Sequence, residues 1–220
     1  MIKGLVSVVI PTYNGEQFIK DCLLSISKQK VPHEVIVIDD ISTDKTAEIA
    51  KEMGAKVLIN EVHKGQVAGK NTGIQNMEGE YFVTIDQDDR FKDDALLNLV
   101  NELETNNADI VMAKLEDFTN KEEDKEYCHQ EPFRGILTGA AIFKKSVFDV
   151  IGYFDESIIT GDVIDLVDRC NKNGVKIYKS DVITCERRIH NANFGRTNQK
   201  DEYKDYAKLL RKQFLEKMKK

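Results

Sequence analysis

Three carboxylates, Asp86, Asp88 and Asp89, fall within four positions at the end of the β-favouring run FVTI. Repulsion between them and the cost of removing charge from water both oppose such a cluster at the tip of a buried strand. A cation is therefore expected among them. Successive strand residues alternate faces, so Asp86 and Asp88, two apart, point the same way into one crevice. Hard divalent ions such as Mg2+ and Mn2+ take oxygen ligands, and Mg2+ sites commonly use one or two carboxylates, completed by phosphates and water. The chemistry expected here is that of a metal–diphosphate unit; the plainer alternative is a solvated acidic loop.

Two further polar clusters stand at predicted strand ends. PTYN, Pro11 to Asn14, follows the first strand, where a dinucleotide-binding fold would place a glycine-rich turn, and no GxGxxG is present. Tyr13 offers a flat face on which a base could stack, or else an aromatic lid over the sheet edge. Asp39 and Asp40 end the second strand, where a carboxylate can accept hydrogen bonds from a base edge or a ribose hydroxyl. One of the two could instead cap the next helix, a role for which Ser42 and Thr43 compete.

The elements that position these clusters follow from periodicity. LVSVVIP and EVIVIDD are continuously apolar, as strands buried on both faces are. Between them, GEQFIKDCLLSISKQ puts Phe18, Cys22, Leu23 and Ile26 on one helical stripe. STDKTAEIAKEMG, KVLIN, KGQVAGKNTGIQNM and EYFVTI continue the alternation of helix and strand, and DDALLNLVNELE and ADIVMAK add another pair. The expected fold is α/β, a Rossmann-like, mostly parallel sheet flanked by helices, with ligands gathered at the carboxyl ends of its strands. EDFTNKEEDKEYCHQEP is charged and aperiodic and reads as a mobile loop or exposed hairpin. GDVIDLVDRCNKNG then reads as a helix with Val163, Leu166, Val167 and Cys170 inward, and VKIYKSDVI as a strand.

At 220 residues and 41% hydrophobic, the chain is long enough for one substantial core. A single domain over 1–200 is expected, in two parts, 1–114 and 115–200. The net charge of −6 argues against a nucleic-acid partner. Cys22, Cys128, Cys170 and Cys185 lack CxxC spacing and read as reduced thiols, Cys22 and Cys170 in the core. The apolar run from Leu5 to Ile10 is too short to cross a bilayer and carries no leader pattern, so a cytoplasmic protein is expected. Residues 201–220 read as a basic amphipathic helix that either docks on its own domain or touches an anionic membrane surface.

VSVVIPTYN, VIVIDDISTDKT, KGQVAGKNTGI, GEYFVTIDQDD, GYFDE and ERRIHNAN, in that order over roughly 5–195, resemble glycosyltransferase family 2 on a GT-A fold. The resemblance implies inverting transfer of a sugar from a nucleotide-diphosphate donor, usually a UDP-sugar, to the hydroxyl of a glycan or lipid-linked acceptor in bacterial surface glycan synthesis. It implies a nucleotide site built from Pro11, Tyr13, Asp39, Asp40, Lys70, Asp86 and Gln87, with Tyr13 and Asp40 near the base and Asp86 near the ribose. It places Mn2+ or Mg2+ on Asp88 or Asp89, with His190 closing over the metal or phosphates and Arg187, Arg188 and Arg196 pairing with diphosphate oxygens from a flap. Inversion needs a carboxylate to take the acceptor proton; Asp162 is the candidate and Asp165 the alternative. Two positions depart from the pattern: Ile41 stands where relatives carry a small residue, and Lys70 where they carry arginine, which loses two-pronged phosphate binding. Val163 stands where many relatives have a second acid. Competing readings are a catalytically silent nucleotide-sugar-binding module, a sugar nucleotidylyltransferase, and a hydrolase whose first aspartate is a nucleophile.

Overall fold

The computed structural model describes residues 1–134, 138–158 and 161–193. The continuous Val/Ile run of the N-terminus forms β1 (Ile2–Thr12), followed by α1 (Ile19–Ser27), β2 (His33–Asp39), α2 (Thr46–Glu52), β3 (Lys56–Ile59), α3 (Gln66–Asn76) and β4 (Gly79–Thr84). β1 is central and parallel to both β2 and β4, and β2 is parallel to β3. Alternation along β1 sends Val6, Val8 and Ile10 to one apolar cluster, with Ile19, Cys22, Leu23 and Ile26 of α1, and sends Val9 to the other, with Val67 and Ile74 of α3. Burial on both faces is the reason the run is apolar apart from Ser7, whose buried hydroxyl donates to Glu34.

α3 lies unusually close to the sheet because Gly69 and Gly73 share one helical face. A β-carbon at Gly73 would meet Val9 Cγ1 at 2.2 Å, and one at Gly69 would meet Pro11 Cβ at 3.0 Å. The close approach matters for function, since α3 carries the polar side chains that reach into the crevice.

The second half comprises β5 (Arg90–Phe91), α4 (Ala95–Thr105), β6 (Ile110–Phe118), β7 (Ala141–Lys144), α5 (Ser146–Ile151), α6 (Asp162–Lys172) and β8 (Ile177–Arg188). One eight-stranded sheet results, in the order β3-β2-β1-β4-β7-β6-β8-β5. Its first four strands are parallel; β7 then runs antiparallel to both β4 and β6, while β6 and β8 are parallel. Cys22, Cys170 and Cys185 are buried free thiols, and burial pushes each thiol up from its ordinary pKa.

Two segments bear on the sequence reading. Of loop and hairpin, the charged stretch after ADIVMAK takes the hairpin-like course: β6 continues through Phe118, a 3-10 turn spans Glu122–Tyr127, and Phe133 returns antiparallel to Leu115. The stretch ERR is not a flap but the end of the twelve-residue β8. Both extensions are held by cross-strand pairs, the Asp117 carboxylate on Arg187 and the Phe118 ring against the Arg188 guanidinium. The proposed helix 201–220 and Arg196 lie outside the described residues. No helix among the described residues is long and apolar enough to cross a membrane.

Candidate active site

β1, β2 and β4 end side by side, and the chain after each end is tied to its neighbours. The Asp40 amide donates to the Thr12 carbonyl at 2.8 Å, and the Asn14 amide to the Ser42 hydroxyl at 2.9 Å. Tyr13 is half exposed, and its ring sits 5.0 Å from that of His63. The Asp40 carboxylate is buried and already well supplied with donors: Asn60 Nδ2 at 2.8 Å, the Lys64 and Gly65 amides at 2.9 and 2.7 Å, and His63 Nδ1 at 2.9 Å. Burial alone would raise its pKa, but these donors outweigh burial and hold it below the usual carboxylate range. Asp40 thus anchors the loop between β3 and α3 over the crevice. Beyond it, Ile41 has φ +61°, a left-handed backbone that costs a β-branched residue about 1–2 kcal/mol.

The acidic tip follows β4. Gln66 Nε2 donates to Asp86 Oδ1 at 2.5 Å, and burial, then the neighbouring Asp88 charge, pushes Asp86 up to about 6. Asp88 Oδ2 receives His190 Nε2 at 2.8 Å and Asn193 Nδ2 at 3.3 Å. His190 Nδ1 accepts the Ala192 amide at 3.2 Å, which assigns the ring proton to Nε2, and the imidazole stacks on Phe18 with centroids 4.6 Å apart. Among the described residues there is no ready-made cluster of three or more His, Cys, Asp or Glu for a metal ion. Asp88 with His190 supplies two donors at one point, and the raised Asp86 registers negative charge that a cation would relieve. Such a partial shell fits a hard ion completed by diphosphate and water. To hold such an ion, His190 Nε2 would give up the ring proton that it now donates to Asp88.

α3 connects this tip to the far side of the crevice. Lys70 Nζ bonds Asp162 Oδ2 at 2.8 Å, and both side chains are buried. Its positive charge also acts on Asp86, opposing the rise in that group's pKa. One residue on, Asn71 grips the segment leading to α6, its Oδ1 accepting the Phe154 amide and its Nδ2 reaching the Phe154 carbonyl, both at 3.0 Å. Asp162 is the first residue of α6, whose N-cap is Gly161, so its carboxylate makes an ion pair across the crevice in place of a cap. Asp165 is buried and paired to Arg169 at 2.8 Å within the helix. Each of the two candidate bases is thus paired with a cation, Asp162 across the crevice and Asp165 within its own helix.

Several expected residues are placed otherwise. Arg188 is buried: its Nε donates to the Asp88 carbonyl at 2.8 Å, its Nη2 pairs with Asp21, and its guanidinium lies 4.5 Å from the Phe118 ring centroid. It is a clamp on the acidic turn, not a diphosphate ligand. Asp89 turns inward and accepts the Arg188 amide at 2.8 Å; burial first, then Asp88 and Asp86, raises its pKa well above normal, so of the two candidates Asp88 faces the crevice. Gln87 exchanges hydrogen bonds with the Tyr13 backbone at 3.1 and 3.2 Å, which fixes the tyrosine without presenting an amide to a nucleotide. Asp39 is spent on the Ser42 amide and hydroxyl, and Pro11 is buried beneath Gly69.

Arg187 points to the opposite face of β8, bidentate on Asp117 at 2.8 and 2.9 Å, and is likewise not available to the diphosphate. Burial raises the Asp117 pKa, but Arg187 and the backbone and ring of His129 outweigh it and leave the pKa below normal. A carboxylate depressed on folding contributes stability above its unfolded pKa of about 4, and that contribution is lost as pH falls through the folded value. Asp117→Asn is therefore expected to lower stability by about 2 kcal/mol near neutrality. The difference from wild type should close in acid, as read by urea midpoints from about pH 7 down to about pH 3. A constant difference across that range would contradict the assignment.

Sequence reasoning missed Gln66, Asn71, Asp21 and the donors on Asp40. The position of KGQ at the start of a helix facing the acidic tip could have flagged Gln66. Nothing local marks Asp21 or Asn71, whose partners lie 167 and 83 positions away.

The crevice therefore unites a strand-end tyrosine, a DxD tip and a lysine-held aspartate on a doubly wound sheet. Against known proteins, the sequence model for "Glycosyl transferase family 2" matches residues 7–155. "Glycosyltransferase GlyA" of Streptococcus pneumoniae is 31% identical over 160 residues, covering 70% of this chain and 22% of that protein. The solved structure of Staphylococcus aureus TarS 1-349 in complex with UDP-GlcNAc superposes with TM-score 0.69 at 22% identity, covering 86% of this chain and 59% of that one. Mannosyltransferase PcManGT from Pyrobaculum calidifontis, in complex with GDP-Man and Mn2+, gives TM-score 0.64 at 21% identity, covering 83% of this chain and 56% of that one. The chain thus spans less than two thirds of the length of each of these proteins, and the structural likenesses establish the GT-A type of fold. With the family model covering most of the sequence and its motifs forming the walls of one crevice, the chain belongs to glycosyl transferase family 2.

Proposed function

We propose that this chain transfers a sugar from a nucleotide-diphosphate donor, a UDP-sugar, to an acceptor hydroxyl with inversion at the anomeric carbon, in the building of a bacterial surface glycan. The observation that carries the reading is the buried Lys70–Asp162 pair at 2.8 Å, both members of which act electrostatically on Asp86 of the DxD tip. The similarity to TarS with UDP-GlcNAc supports a UDP donor, and the likeness to PcManGT with Mn2+ supports a divalent ion.

Residues 1–114 hold the donor. Tyr13 and Asp40 frame the base, Asp86 faces the ribose, and Asp88 with His190 holds Mn2+ or Mg2+. When bound, that ion supplies positive charge to the departing diphosphate. Residues 115–200 face the acceptor. Asp162 accepts the proton of the attacking hydroxyl, and the sugar–phosphate bond breaks as the new glycosidic bond forms on the opposite face. Lys70 neutralises Asp162 in the resting state. A donor diphosphate competes for the same ammonium, so donor binding frees the carboxylate for the acceptor proton. Closing both substrates into one crevice supplies the orientational part of the rate.

A panel of UDP- and GDP-sugars with Mn2+ or Mg2+, read by thermal shift and nucleotide release, tests the proposal. The expected result is stabilisation by one UDP-sugar and slow metal-dependent release of UDP, accelerated by a polyol or glycan acceptor. Binding without turnover in the presence of acceptor would favour the silent module. Hydrolysis of simple phosphomonoesters would favour the hydrolase.

A further inference from the structure

Among the described residues, the non-glycine positions with positive φ are Asn14, Ile41, Asp94 and Asn107. Three are Asn or Asp, which tolerate the left-handed region; a β-branched side chain there is an outlier. The turn itself is dictated from both sides. The Asp40 amide is held by Thr12, the Ser42 amide and hydroxyl by Asp39, and the Thr43 amide by Asn14 Oδ1 at 2.8 Å. Glycine would meet the same constraints without a steric penalty. Nor does burial compensate, because Ile41 is 38% exposed and belongs to neither apolar cluster. Strain retained at an exposed site points to a use for the side chain outside the folded chain itself.

The bonds from Asp40 to Thr12 and from Asn14 to Ser42 bracket Tyr13 and Ile41, and so bring them together at the mouth of the crevice. The His63 ring lies 5.0 Å from that of Tyr13, and its Nδ1 is held by Asp40. An aromatic ring and a branched aliphatic chain beside a carboxylate floor suit a flat heterocycle better than a sugar, which would need more polar partners. We infer that Ile41 is a specificity-determining contact, its side chain packing on the base of the donor nucleotide. The inference rests on the nucleotide-site reading above and names the residue that reads the base.

Ile41→Gly and Ile41→Asn test it, each compared with wild type by thermal melting and by calorimetry with UDP, UMP and inorganic pyrophosphate in Mn2+. Removing the branched chain from a left-handed residue should raise the Tm by about 2–4 °C. It should weaken UDP and UMP by about 5–20-fold through lost apolar contact and leave pyrophosphate affinity unchanged. A raised Tm with UDP affinity intact would overturn the inference alone, as would equal losses for UDP and pyrophosphate or a lowered Tm. If wild type took up neither UDP nor UMP, the nucleotide-site reading would fall and this inference with it.

Discussion

Asp162→Asn is expected to hold UDP affinity at or above that of wild type, because the Lys70 ammonium no longer faces a competing carboxylate, while lowering sugar transfer by about 10²–10⁴-fold, the range that a positioned general base contributes. The amide keeps the shape of the side chain and an oxygen for Lys70, but it cannot take a proton. A second consequence follows from burial. Lys70 and Asp162 are paired in the interior, and removing the charge of one leaves the other uncompensated, a change that costs about 3–5 kcal/mol when such a pair is broken outright. Loss of stability should therefore accompany loss of transfer. The double variant Lys70→Met, Asp162→Leu should recover most of that stability and none of the activity, because it removes both charges together. Urea unfolding of the three variants separates the two effects. Full transfer by Asp162→Asn would place the base elsewhere.

Asp88→Ala carries the other large effect. The side chain receives His190 and Asn193, whereas the contact that secures the turn, Arg188 Nε to the Asp88 carbonyl, is made by the main chain. Alanine keeps that carbonyl, so the fold should be retained. Donor binding in Mn2+ should fall by about 10²-fold or more, since losing even an outer-shell partner of a metal costs about 10–100-fold. Asp89→Asn, by contrast, alters a carboxyl that faces Arg188 inside the protein, and it should act on stability more than on metal-dependent binding. Comparing the two variants distinguishes the half-buried member of the acidic tip from the fully buried one.

Much of this was legible in the sequence because it is local. Continuous Val/Ile runs marked β1 and β2, the stripe Phe18, Cys22, Leu23, Ile26 marked α1, and carboxylates after apolar runs marked the strand ends. Alternation was expected to orient Asp86 and Asp88, but β4 ends at Thr84 and both lie in a turn closed by the Asp89 amide on the Asp86 carbonyl at 3.1 Å, so strand periodicity does not decide their faces. Other roles depended on partners far away in the chain. Arg187 and Arg188 looked equivalent as cations near a diphosphate, yet strand alternation sends one to Asp117 and the other to Asp21. Lys70 was identified as a nucleotide contact from its place in AGKN, but its resting partner is Asp162, 92 positions later. Asp39 and Asp40 could not be told apart by type, and only hydrogen bonding separates the turn-former from the residue that grips the β3–α3 loop.

The account depends on a divalent ion joining Asp88 to the diphosphate of the donor. Isothermal calorimetry of UDP into wild-type protein, in Mn2+ and again in excess chelator, tests this most directly. Saturable binding in Mn2+ that weakens by about 10²-fold or more in chelator, and in Asp88→Ala, is the result predicted. Equal UDP affinity with and without the ion would contradict it.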